Sequence, residues 1–146
     1  MKKFIAGCAV LLVMGLGQAN AADVKVHFPI DEALSFEKVK NELNPDVALY
    51  WGNQAHPRVM QKLGIYKTSK RTNGFGKDRS VACSWAMASA LSELQKRAYR
   101  EGGNAVINIV SNIKDHEESS DTEYSCLAGF AMVNVALKGT VVKLAK

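Results

Sequence analysis

Cysteine and histidine are scarce in this chain, with three of each in 146 residues. Neither Cys83 nor Cys126 has a second cysteine or a histidine at ligand spacing, which argues against a structural metal site. His56 has no evident serine, cysteine or carboxylate partner, so no catalytic constellation can be assembled around it. His27 sits in a short strand-like run and reads as structural. The phosphate-binding loop of ATP-dependent proteins is missing too. Gly74-Phe75-Gly76-Lys77 holds a Gly-Lys pair, but Arg71 stands where the motif needs glycine and Asp78 where it needs a hydroxyl. Nucleotide-driven work is therefore unsupported, and no cofactor is implied. The acidic stretch at Asp115, His116, Glu117 and Glu118 lacks the spacing of a calcium loop and reads as a solvated turn. Past residue 21 no segment is long and apolar enough to span a membrane as a helix. Internal repeats and low-complexity tracts are also missing.

What is present begins at the N-terminus. Met1-Lys2-Lys3 is a basic start, residues 4–17 are apolar without a charge, and Ala19-Asn20-Ala21 is a small-x-small cleavage site. That is the layout of a secretory signal peptide. Cleavage after Ala21 leaves a single domain at residues 22–146, exported to the periplasm. A second reading makes Cys8 a lipidated residue, but the apolar run extends past it. With the signal gone, 19 basic residues fall to 17 against 14 acidic ones, so the formal charge drops from +5 to +3. That excess is too mild to argue for nucleic acid. Cys8 leaves with the signal. Cys83 and Cys126 remain, and in an oxidising compartment they read as one disulfide, with two buried free thiols as the alternative.

The mature chain reads as strands, a long helix, then strands. Residues 24–28 alternate like a strand and stop at Pro29, and residues 31–43 form a partly helical stretch ended by Asn44-Pro45. Residues 47–51 and 63–68 are strand-like, and residues 70–79 read as a loop. Residues 80–101 are the clearest helix, capped by Asp78 or Ser80 and stopped by Gly102-Gly103. Cys83, Met87, Ala90, Leu91, Leu94 and Ala98 share one face at helical spacing. Residues 104–113 and 122–144 are β-rich, the second run broken at Lys138-Gly139. The expected class is α+β: an antiparallel or mixed sheet with one long helix on one face, preceded by an irregular, partly helical N-terminal segment.

Three groups of residues stand out as sites. Val81, Trp85 and Tyr99 form a second apolar stripe on the helix, which either the N-terminal segment covers or a partner does: an envelope protein or a second copy. Tyr50, Trp51, Asn53, Gln54 and His56 form an aromatic and amide cluster that could line a pocket for a small ligand or cation. Lys67, Lys70, Arg71, Lys77 and Arg79 make the third group, a basic loop that is either solvated or a contact for an anionic surface such as lipid headgroups.

Several stretches together resemble a known group. They are Tyr50-Trp51-Gly52-Asn53-Gln54-Ala55-His56-Pro57, Cys83-Ser84-Trp85-Ala86 with Ala90-Leu91, Glu101-Gly102-Gly103-Asn104-Ala105-Val106-Ile107-Asn108-Ile109, Glu123-Tyr124-Ser125-Cys126-Leu127-Ala128-Gly129 and residues 139–144. They resemble small periplasmic bacterial proteins of unknown function that are often described as excinuclease ATPase subunit-like. More distantly, the chain is similar to the periplasmic domain of the stress-sensor lipoprotein RcsF and to YbjQ-like proteins. The resemblance implies an α+β fold and a binding role in the envelope, and it carries over no catalytic residue.

Overall fold

The computed structural model describes residues 23–146. The signal-peptide reading of residues 1–21 and the Cys8 alternative lie outside the described residues. The elements, in order, are β1 (Val24–Pro29), α1 (Ile30–Ser35), α2 (Glu37–Glu42), β2 (Ala48–Trp51), β3 (Val59–Asn73), α3 (Arg79–Arg100), β4 (Ala105–Ile113), β5 (His116–Glu118), β6 (Glu123–Ala128) and β7 (Met132–Leu144).

The class is α+β, with a mixed seven-stranded sheet and α3 packed on it. The strand order is β1-β6-β7-β4-β2, with β3 also paired to β7 and β5 to β4. Every pairing is antiparallel except β2 with β4. The long strand β7 organises the sheet. β3 runs along it from Val59↔Leu144 to Asn73↔Met132, while β6 and β4 pair with its first and second halves. The main core lies between α3 and the sheet and includes Met87, Leu91, Leu94, Val106, Ile109, Val135, Leu137 and Val141. A smaller cluster of Ala105, Ile107, Val142 and Leu144 covers part of the opposite face.

Local chemistry explains both ends of α3. Asp78 caps the start, its carboxylate accepting from Ser80 N at 2.9 Å and Ser80 Oγ at 2.8 Å. At the other end Gly103 N donates to Ala98 O at 2.8 Å and Gly102 N to Tyr99 O at 3.2 Å, the pattern of a Schellman stop. Gly102 holds φ +78, and a Cβ on Gly103 would come within 2.7 Å of the Val142 carbonyl oxygen. Both glycines are needed, for different reasons. The disulfide is formed: Cys83 and Cys126 join α3 to β6 with Cα atoms 6.0 Å apart, and neither is exposed.

Several boundaries differ from the sequence reading. His116–Glu118, read as part of a solvated turn, form β5 because they pair back onto the end of β4, and β3 starts at Val59 and not at residue 63. Residues 70–73 belong to β3 and not to a loop. The break in the last β-rich run falls between β6 and β7, at residues 129–131, and not at Lys138-Gly139. Gly139 lies inside β7 because a side chain there would strike Val106 Cγ1 at 2.6 Å. The facing strand bulges at that point. Ile107 pairs with Thr140 and Val110 with Lys138, so Asn108 and Ile109 together face Gly139, and Asn108 takes φ 49.

Candidate functional site

The N-terminal segment covers part of the outer face of α3. Ile30, Ala33 and Val39 from α1 and α2 are buried there with Ala88 of the helix. Phe36, extended at ψ 131, separates the two short helices and lets them bend around α3. Trp85 ends up half-buried, with Lys38 Nζ 3.7 Å from its ring centroid and Lys77 Nζ at 5.3 Å. Val81 is likewise half-buried.

The cover stops at Leu43. Gln95, 3% exposed, fixes that point: its Oε1 accepts from Asn44 N at 2.8 Å, and its Nε2 donates to Asn44 O at 2.9 Å and Val47 O at 2.8 Å. The chain then turns into β2 and leaves the last turns of α3 open. The result is a groove of about 490 Å³ between Leu43-Asn44 and the Ser92, Gln95 and Tyr99 side of the helix. Tyr99 is 75% exposed in it. Both N–H groups of the Gln95 amide and its oxygen are engaged by backbone, so Gln95 presents the groove with no free donor. Charge is confined to the rim, with Glu42 on one side and Lys96 and Arg100 on the other. Glu42 accepts from Ser89 Oγ at 3.2 Å. Beside the rim, Glu93 pairs with Lys96 at 3.4 Å, and that hydrogen bond lowers its carboxyl pKa.

The cluster from Tyr50 to His56 is used differently. Trp51 is 2% exposed in the core, its ring 6.4 Å from that of Tyr124. Burial pushes the Tyr124 phenol well above its ordinary range. Asn53 N donates to Asp121 Oδ1 at 2.7 Å, and Gln54 bridges Trp51 N at 2.9 Å and Asp121 O at 2.8 Å. His56 packs edge-on to Tyr50 at 5.6 Å and contacts Pro57 O at 2.8 Å. These residues clasp the β5–β6 connection to the end of β2. The hollows beside α3, along β3 and at the turns before α3 and β7 are lined by other residues.

The five basic residues are not gathered on one loop. Lys67 lies in β3 and pairs with Asp115 at 2.9 Å, which lowers the Asp115 pKa. Lys70, also in β3, faces α3 and reaches Glu93 at 3.7 Å. Arg71, Lys77 and Arg79 lie together near Phe130, at the end of the sheet where α3 begins.

On the sheet face away from α3, Glu118 is held by Lys25, by His27 Nε2 at 2.7 Å and by Ser125 Oγ at 2.8 Å. The Lys25 contact leads in driving its carboxyl down to about 2. This knot ties β5 to β1 and β6. Among the described residues no three His, Cys, Asp or Glu side chains stand together as a metal ion would require. No helix among them is long and apolar enough to cross a membrane. No protein-family model matches the chain, and no curated protein does.

Proposed function

We propose that this chain is an exported, non-catalytic binding protein that holds a segment of another envelope protein in the groove between Leu43 and Tyr99. The observation that carries the reading is the groove itself. A tyrosine 75% exposed stands beside a leucine, and the amide of Gln95 between them is already bonded to backbone, with Ser92 and Asn44 as the other uncharged polar lining. An apolar surface with a polar rim is what a docking segment desolvates well, and tyrosine is a common anchor of such contacts. Export is supported by the N-terminal layout of residues 1–21 and by a fully buried disulfide, which suits an oxidising compartment. Kinship with the small periplasmic proteins and with RcsF and YbjQ-like proteins belongs to the same proposal, and it rests on the quoted stretches.

Co-purification from the envelope fraction tests the reading. The wild-type chain retains a defined partner, while Tyr99→Ala and Tyr99→Asp, at a side chain 75% exposed, lose it with little change in melting temperature. The same partner retained by both variants would refute docking in this groove.

A further inference from the structure

At the opposite end of α3 the sheet terminates in an aromatic tip. Phe75, on the turn before α3, meets Phe130, on the β6–β7 turn, with ring centroids 5.6 Å apart. The two rings are 63% and 80% exposed, and Met132 beside them is 46% exposed. Gly74 N donates to Ala131 O at 2.7 Å, which binds the two turns into one unit. Three cations stand around the rings: Lys77 and Arg79 line one hollow with Phe130, and Arg71 lines the hollow on its other side. Among the described residues none of the three is in an ion pair. The nearby acids are Asp78, engaged in capping α3, and Asp23. The tip therefore carries a positive excess around an exposed apolar centre.

We propose that this tip seats on an anionic membrane surface, with Phe75 and Phe130 entering the headgroup boundary while Arg71, Lys77 and Arg79 contact lipid phosphates. Exposed apolar residues ringed by cations gain from both terms at once, burial of the rings and attraction to negative headgroups. The helix α3, 22 residues and roughly 33 Å long, starts at this tip and carries the Tyr99 groove at its far end, away from such a surface.

The test uses protein purified from cells that export the full-length chain, mixed with vesicles. Vesicles of phosphatidylethanolamine with phosphatidylglycerol should sediment the protein, and vesicles of phosphatidylcholine alone should not. Arg71→Gln and Arg79→Gln should each weaken partitioning about fivefold. Phe130→Ser should weaken it about tenfold or more without lowering the melting temperature. Position is read separately. A tryptophan placed by Phe130→Trp should be quenched by brominated acyl chains in the anionic vesicles, while one placed by Tyr99→Trp should not. Equal binding to both vesicle types, or no quenching at position 130, would overturn the proposal. So would association with a soluble polyanion that Phe130→Ser leaves unchanged, or a lipid-free dimer that the same substitution dissolves.

Discussion

Trp85 shows how one side chain can serve two surroundings. Its inner edge packs on the core, and Lys38 lies over its outer face. Because it is half-buried, Trp85→Ala should lower stability by about 2–3 kcal/mol, short of the roughly 3–5 kcal/mol of a fully buried aromatic. A denaturant titration measures this. A loss under 1 kcal/mol (on the order of an exposed cation–π contact alone) would mean the ring contributes nothing to the core. Glu118 makes a pH-dependent claim at the same scale. Its folded carboxyl sits near 2 against an ordinary 4.5, so its contribution is present above 4.5 and disappears as pH falls toward 2. Glu118→Gln should therefore melt below the wild type at neutral pH, with the gap closing as pH falls through that window. A gap that stays constant into acid would show that the Lys25, His27 and Ser125 contacts do not stabilise the carboxylate.

Among the elements, α3 makes the firmest statement. Gly102→Ala should cost about 1 kcal/mol through its positive φ. Gly103→Ala should cost more, because the new Cβ meets the Val142 carbonyl, part of a strand that cannot move aside. Thermal melts of the two variants should rank in that order, and the reverse ranking would place the strain elsewhere. This helix was legible in the sequence because its cap, apolar period and glycine stop all agree. The end of β3 was not. Lys70, Arg71, Thr72 and Asn73 pair only with β7, on an edge where no apolar alternation is required, so the run reads as loop. Lys138-Gly139 reads as a break because a turn glycine and a strand glycine that makes room for packed side chains, here Val106, Ile109 and Leu94, give the same signal. The second apolar stripe was visible as a stripe. Where its cover ends was not, since that depends on Gln95 meeting the backbone of Asn44 and Val47 across the fold. The pairing of Phe75 with Phe130 was hidden for the same reason: the strands β3 and β7 bring together turns far apart in sequence.

For the molecule as a whole, the disulfide and α3 define what is rigid. Cys83–Cys126 closes a separation of 43 residues between helix and sheet, worth up to about 4 kcal/mol in the chain-entropy model. Labelling of unfolded, unreduced mature protein should find no free thiol, and replacing both cysteines by serine should lower stability by about 3–4 kcal/mol. Two labelled thiols would show that the bond does not form in the cell. The helix pinned in this way separates two surfaces of different character, the basic aromatic tip at its start and the apolar groove at its end. The groove carries the central claim, and in-cell crosslinking from a photoreactive residue at position 99 tests it most directly. One discrete crosslinked species should form from position 99, vanish with Lys96→Glu on the groove rim, and be missing when the photoreactive residue stands at the exposed position 143. No crosslink from 99, or the same products from 143, would contradict a docking site beside Tyr99.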